Sequence, residues 1–420
     1  MTPDGLRWLF LDMNSYFASV EQQENPAYRG KPLIVLPSMN DATCAIAASL
    51  EAKAYGIKTG TGVLDAKDRC PNLICVPARH DVYMRYHNRI LETVVKHTPI
   101  TKVCSVDELS SRLLPLRCDE DAAITLSFAI KRSLREDVGE CVTCSIGLSS
   151  NAYLAKIATD LQKPDGLVIL RPSDVLERLR PLPLTFLPGI GRNMERRLNK
   201  AGIWTFFHLW NCSPKQLRAI WHSVEGEKFW YRLRGYDIPD VPTKPSMVGH
   251  SRILEPRFRA PQDAALMASQ LTEKACNRMR RKGLYAGMFS LSFRDIDGRR
   301  AGLDVPIDPP SCDNALFVRH VHAMWDALIR RHRPLRLKKV SVVLSRLCEE
   351  SQIQPDLFHT TDEEKTITYE KDSSLSRCID TIIRRYGSDA IHFGYTPEAK
   401  SHYVGTKIAF NRIPEQEEFL

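Results

Sequence analysis

The sequence predicts an α+β multidomain protein, and three observations carry the prediction. Strand-like and helical segments follow one another in a βαββαβ order up to about Leu161. From Pro172 the pattern turns helical with short loops, and a second α/β segment follows between Gly249 and Leu347. With 420 residues there is room for about three domains, each with a buried core. Hydrophobic residues at 43% and charged residues at 26% are ordinary for a globular protein and exclude a wholly disordered, collagen-like or disulfide-scaffold chain. No run approaches the ~18 apolar residues that span a bilayer. The apolar start Trp8-Leu9-Phe10-Leu11 is cut by Asp12 before it could serve as a signal-peptide core. No membrane partner and a cytoplasmic setting are therefore expected. The 12 cysteines, with one close pair at Cys141 and Cys144, are read as reduced thiols.

The elements follow in order. Trp8–Met13 is a short apolar strand, and Ser15–Gln23 an amphipathic helix. A small inserted unit comes next, with strands at Leu33–Leu36 and Thr43–Ala47 around a Pro-Ser-Met-Asn-Asp turn and a helix from Glu51 that stops at Gly56. Tyr83, Tyr86, Ile90 and Val94 recur at helical spacing, and that helix ends before Pro99. Paired strands between Val103 and Leu114, a helix over Ala122–Arg135, a strand over Cys141–Leu148 and a helix over Asn151–Leu161 complete the first pattern. Leu187-Pro-Gly-Ile-Gly191, followed by Met194, Leu198 and Gly202, reads as a helix-hairpin-helix. Gly189 and Gly191 would permit a tight turn that aims backbone N–H groups at a phosphate. The proline-rich run Ile238–Pro245 is a linker. Beyond it, Ala264–Lys282 is a helix. Phe289, Leu291 and Phe293 alternate with Ser290, Ser292 and Arg294 as a strand, Asp297-Gly298 is a hairpin turn, and a further helix, a strand with Val340, Val342 and Leu344, and a short helix with Ile379, Ile383 and Tyr386 follow.

Charge is concentrated. The chain carries a formal +9, yet Gly249–Leu347 alone holds 19 Lys and Arg against 9 Asp and Glu, so the remainder is close to neutral. A basic module on a near-neutral body is what neutralising a nucleic-acid backbone requires, with Arg294, Arg299 and Arg300 around the hairpin as candidate contacts. Asp12 ends one apolar strand, and Asp107 and Glu108 interrupt another. Buried carboxylates need a cation, and on neighbouring strands of one sheet these would form a hard oxygen-rich pocket suited to Mg²⁺.

These residues resemble a known family, the Y-family translesion DNA polymerases of the bacterial DNA polymerase IV and UmuC kind. The resemblance runs from about Arg7 to the C-terminus. It rests on Leu11-Asp-Met-Asn-Ser-Tyr-Phe-Ala-Ser-Val-Glu21, Ser105-Val-Asp-Glu108, Leu154-Ala-Lys-Ile-Ala-Thr-Asp160 with Lys163-Pro-Asp-Gly166, Leu187-Pro-Gly-Ile-Gly191 and Val248-Gly-His-Ser251. It implies a βαββαβ palm (1–23 and 82–174) with inserted fingers (24–81), a helical thumb with the helix-hairpin-helix (175–240), a linker (241–248), an α/β little finger (249–347) and a C-terminal tail (348–420). The implied reaction is templated addition of dNTPs to the primer 3′ end of primer-template DNA. Asp12, Asp107 and Glu108 would be the catalytic carboxylates, holding two Mg²⁺ ions with the backbone carbonyl of Met13. Phe17 matches the steric gate that excludes a ribose 2′-hydroxyl, Tyr16 would line the same pocket, and Lys156 would reach the triphosphate. The chain also departs from the family. Leu50-Glu-Ala-Lys53 replaces a usual Tyr-Glu-Ala-Arg run, so a phenol is lost and a forked guanidinium becomes the point charge of Lys53. Ala47 stands where a hydroxyl is common, and Asn14 replaces a frequent second aspartate.

In the acidic stretch after the little finger, Gln354-Pro-Asp356-Leu357-Phe358 resembles the peptide by which bacterial polymerases bind the sliding clamp, with Gln354 as polar anchor and Leu357-Phe358 as apolar plugs. The expectation is a monomeric, low-fidelity polymerase for damaged templates. The alternative is a catalytically weak clamp-tethered DNA-binding adaptor. A metal-dependent nuclease would explain the carboxylates but neither Phe17 nor the little finger.

Overall fold

Strand β1 (Trp8–Met13) is buried along nearly its whole length, which fits a position at the centre of a sheet with both edges paired. The structure is a computed structural model and describes residues 5–114, 118–239, 244–353, 375–382, 385–386 and 391. After β1 come α1 (Tyr16–Glu24) and the inserted unit, with β2 (Leu33–Leu36), β3 (Ala47–Ala48), α2 (Leu50–Ala54), α3 (Val63–Arg69) and β4 (Ile74–Pro77). The chain continues through α4 (His80–Val95), β5 (Lys102–Val103), β6 (Glu108–Arg112), α5 (Glu120–Asp137), β7 (Cys144–Ser149), α6 (Ala152–Leu161) and β8 (Leu167–Leu170). The main sheet has the order β5-β6-β1-β7-β8, with β1 antiparallel to both neighbours and β8 parallel to β7. The inserted unit has its own sheet, β3-β2-β4, and its own small core around Ile34, Leu36, Ile57 and Val63.

The expected βαββαβ succession is present, and β8 adds an edge strand to it. Two other elements, α3 and β4, extend the inserted unit beyond the expected pair of strands. The predicted strand over Thr43–Ala47 is mostly loop. Its regular part is Ala47–Ala48, and Cys44 makes an isolated bridge to Gly62.

In the main core Leu9, Leu11, Ile146 and Leu148 are fully buried. Each such side chain favours folding by ~1.5–3 kcal/mol. Helix α6 lies unusually close to β7. A Cβ on Gly147 would stand 2.0 Å from the carbonyl oxygen of Ala155, so glycine is what permits the approach.

Helices α7 (Val175–Leu179), α8 (Arg192–Lys200), α9 (Phe206–Trp210), α10 (Pro214–Trp221) and α11 (Val224–Leu233) pack around Leu198, Phe206, Leu209 and Leu217. The described residues up to 239 form one compact unit, and those from 244 onward a second.

The second unit contains β9 (Met247–Ile253), α12 (Pro261–Arg280), β10 (Leu284–Asp295), β11 (Arg300–Ser311), α13 (Asn314–His332) and β12 (Leu337–Glu349). Its antiparallel sheet has the order β11-β10-β12-β9. As the alternation predicts, Phe289, Leu291 and Phe293 are buried beneath α12 and α13. The expected linker reaches 248, whereas β9 already begins at Met247. A helix over 375–382 returns to this unit. The Arg280 guanidinium meets Asp380 at 2.6 and 2.7 Å, and Ser376 donates to Asp313 at 2.9 Å. Ile379 is buried there, and Ile383 lies outside the described residues.

Candidate active site

Strand pairing brings the distant carboxylates together. Asp12 lies directly opposite Glu108 across β1 and β6, and the N–H of Met13 donates to the carbonyl of Asp107 at 2.9 Å. The close packing of α6 on β7 carries Lys156 to the same place. Its Nζ is 2.5 Å from Asp12 Oδ2 and 2.6 Å from Glu108 Oε1. Lys163, just beyond α6, sits 2.9 Å from Asp12 Oδ1 and 2.7 Å from Asp160 Oδ1. Asp12 and Lys156 are largely shielded from water, and removing one partner of such a pair typically costs ~3–5 kcal/mol, whereas Lys163 is exposed.

The protonation balance is uneven. Burial opposes the charge of Asp12, but Lys156 and Lys163 outweigh it and hold that carboxyl below the usual range. Burial pushes the Asp107 and Glu108 carboxyls up, and their acidic neighbours add to the rise, against the Ser105 hydroxyl at 2.5 Å from Asp107 and the Lys156 ammonium at Glu108. Burial would lower Lys156, yet Asp12 and Glu108 more than offset it and its pKa is raised.

The donor set is suited to a divalent cation. Three hard carboxylates converge, two of them made reluctant to ionise chiefly by burial, and an ammonium stands as a cation between Asp12 and Glu108. As they stand, no three acidic, histidine or thiol groups among the described residues close into a ready-made ion cage. The Lys156 ammonium occupies the space between two of the expected ligands, and Asp107 turns to Ser105. Lys156, expected to reach a triphosphate, stands here between Asp12 and Glu108.

Phe17 is half-buried and stacks on Tyr83, with ring centroids 4.3 Å apart and 14° between planes. The Tyr83 hydroxyl donates to Glu21 at 2.8 Å, and Glu21 accepts two bonds from Arg79 at 3.0 and 2.6 Å. Tyr16 differs from expectation. It is buried in the core and its hydroxyl donates to the Tyr83 carbonyl at 2.6 Å, so it backs the pocket without lending it a hydroxyl. The start of α1 has no side-chain cap, and Ser15, at φ 50°, has a buried hydroxyl with no hydrogen-bond partner. An uncapped helix start with an orphan hydroxyl beside Asp12 suits an anion. On α2, Leu50 is exposed, while the Lys53 ammonium is lowered by partial burial and by Lys163, against the pull of Asp12.

Sequence reasoning passed over Lys163, Asp160 and the hydrogen bonding of Asn14. The signal for Lys163 was present in the Lys163-Pro-Asp-Gly166 run, but its role depends on a turn that brings it back to Asp12.

In the helical part, Gly189 has φ +90° and Gly191 precedes α8 as a cap without a side chain, which leaves the α8 N-terminus without a side-chain partner. In the second unit, Arg294 pairs in register with Arg300 on β11 and with Lys339 on β12, a row of three cations across three strands. Like charges placed abreast destabilise a sheet, so such a row points to a polyanion. Arg299 is exposed at the adjoining turn, and Lys339 was not anticipated. Gln354, Asp356, Leu357 and Phe358 lie outside the described residues. No helix among the described residues is long and apolar enough to cross a membrane.

Residues 11–160 match the impB/mucB/samB family, residues 172–203 the HHH motif of the IMS family, and residues 245–357 the C-terminal domain of the impB/mucB/samB family. A DNA polymerase IV of Moorella thermoacetica is 33% identical over 394 residues, covering 91% of this chain and 94% of that protein. A DNA polymerase IV of Xanthomonas campestris pv. campestris is 32% identical over 277 residues, covering 64% and 75%. A solved Y-family DNA polymerase chimera shares the fold at a TM-score of 0.68 and 24% identity, over 82% of this chain and 99% of that one. The insertion ternary complex of Dbh DNA polymerase matches at a TM-score of 0.51 and 26% identity, with 82% and 99% covered.

Proposed function

The chain belongs to the impB/mucB/samB family and is a translesion DNA polymerase of the Y family, and on that premise we propose that it extends primers with low fidelity by two-metal-ion catalysis. DNA and dNTPs are its partners, as the ternary complex of a related polymerase supports. The observation that carries the proposal is the register that sets Asp12 opposite Glu108, with Asp107 at the same strand end.

Asp12, Asp107, Glu108 and the Met13 carbonyl would hold two Mg²⁺ ions. Such ions, when bound, favour deprotonation of the primer hydroxyl and neutralise the leaving pyrophosphate. The protein's own groups do the rest. Lys156 balances the carboxylates, and Lys163 and Lys53, gathered near Asp12, would supply cationic charge to a triphosphate. The uncapped start of α1 with Ser15 offers donors to phosphate oxygens. Phe17, held flat by Tyr83, would fill the space of a ribose 2′-hydroxyl.

DNA would be gripped through the Gly189–Gly191 hairpin and the Arg294 row, and the clamp through Gln354, Asp356, Leu357 and Phe358. We further propose a monomer working in the cytoplasm. Primer extension with Mg²⁺ and each dNTP tests the catalytic reading. Wild type should extend, while Asp12→Ala, Asp107→Ala and Glu108→Ala should each lose at least ~100-fold at unchanged primer-template affinity. Normal extension by Asp107→Ala would remove the basis of the mechanism.

A further inference from the structure

We infer that Asn14 is a positioning residue for Lys163, fixing the turn that delivers its ammonium to Asp12. The Asn14 side chain is buried and makes three hydrogen bonds across the end of the sheet. Its Oδ1 accepts from the backbone N–H of Asp165 at 2.8 Å and from the Thr143 hydroxyl at 3.2 Å, and its Nδ2 donates to Ser145 Oγ at 3.0 Å. Ser145 Oγ in turn accepts from the Gly166 N–H at 3.4 Å and donates to the Gln162 carbonyl at 3.5 Å. Both arms of the turn that carries Lys163 are thus gathered onto one amide and one hydroxyl. Lys163 projects from between them to Asp12 at 2.9 Å and Asp160 at 2.7 Å.

The chemistry explains why an amide serves here. Asn14 must accept from Asp165 and donate to Ser145 at once, which a carboxylate cannot do. A carboxylate would also add a fourth negative group beside Asp12, Asp107 and Glu108, and Lys163 would then be drawn by charge to two places. The amide sets its position by hydrogen bonds alone.

The kinetic consequence rests on the polymerase reading, while the structural one does not, so the test has two arms, both on the full chain. In the first, acylation of Lys163 by a lysine-directed ester is followed by mass spectrometry. Asn14→Ala and the milder Ser145→Ala should each speed modification of Lys163 by ~fivefold or more, because the ammonium leaves its ion pair. In the second, Asn14→Ala should raise KM for dNTP by ~tenfold while kcat changes less than ~threefold, and in a Lys163→Ala background it should add less than ~twofold. Asn14→Asp, which keeps the bond from Asp165, should fall between wild type and Asn14→Ala. An unchanged Lys163 acylation rate in Ser145→Ala, or a full additional KM penalty in the Lys163→Ala background, would overturn the inference. If wild type extends no primer, the polymerase reading fails and the acylation arm alone decides the role of Asn14.

Discussion

Phe17 lies flat on Tyr83, 4.3 Å between ring centroids and 14° between planes, and Tyr83 is itself pinned by the Glu21 carboxylate at 2.8 Å. A side chain acting as a steric wall must resist being pushed aside, and the stack supplies that resistance. Phe17→Ala should raise ribonucleotide over deoxynucleotide incorporation by ~100-fold or more, and Tyr83→Ala by a smaller factor, since the wall remains but can yield. Single-nucleotide insertion with dNTP and rNTP checks both. An unchanged ratio in Phe17→Ala would assign the ring to packing.

Leu50 and Lys53 stand where the family has a phenol and a guanidinium, and Lys53 shares its surroundings with Lys163 and Asp12. Leu50→Tyr with Lys53→Arg should lower KM for dNTP by ~threefold to tenfold, because a fork-shaped donor holds a phosphate better than a point charge. Steady-state insertion kinetics decide it, and a rise in KM would show the pocket to be built around lysine.

His87 is buried, with Nδ1 donating to the Val106 carbonyl at 2.8 Å. Burial lowers its pKa, against weaker opposing pulls from that carbonyl and Asp107. The unfolded chain takes up this proton near pH ~6.5, whereas the folded protein refuses it until lower pH. Protons therefore favour unfolding as pH drops from about 6.5 to the lowered folded value, and this contribution is complete above that window. His87→Asn, which keeps a donor without the titration, should show a smaller loss of Tm between about pH 7.5 and 5.5 than wild type. Thermal melts across that range are the measurement. Parallel curves would mean that other groups govern the acid response.

The row formed by Arg300, Arg294 and Lys339 predicts a salt-dependent grip on DNA. Each phosphate neutralised contributes ~0.9 to the slope of log affinity against log salt. Changing Arg294, Arg299 and Arg300 to Ala should thus flatten the slope by up to ~2.7 in fluorescence anisotropy titrations. No change in slope would place the DNA-binding charge elsewhere.

Leu357→Ala with Phe358→Ala should weaken binding to the purified sliding clamp by well over tenfold, since truncating apolar anchors of this kind costs ~2 kcal/mol or more. Extension of short primers without clamp should survive. Equal clamp affinities for both proteins would show the likeness of the peptide to be accidental.

The elements best read from sequence were those whose burial follows a period. Strand β10 buries Phe289, Leu291 and Phe293 in alternation, and the tyrosines of α4 recur at helical spacing. Strand β9 was invisible for the converse reason. As an edge strand it buries Val248 alone, so its composition carries no stripe. Strand β8 is four residues long and apolar throughout, too short for periodicity to separate it from a helix fragment. At the site, the carboxylates were legible because buried acids are conspicuous in apolar strands. Lys156 and Lys163 were harder, since one lies on α6 and the other just beyond it, and their reach to the carboxylates depends on how closely Gly147 lets α6 approach.

The helix at 375–382 has a consequence for any partner that binds Gln354–Phe358. Ile353 packs on the core of the second unit, and Asp380 is bolted to Arg280 on the same body. Gln354–Phe358 are therefore joined by the chain, on both sides, to described residues of the second unit. Covalent reach alone keeps Phe358 within about 18 Å of Ile353. A partner bound to these residues therefore stays close to the second unit. Once seated it rides on a short leash, so the local concentration of this unit around the partner is set by the tether and hardly at all by how much protein the cell contains.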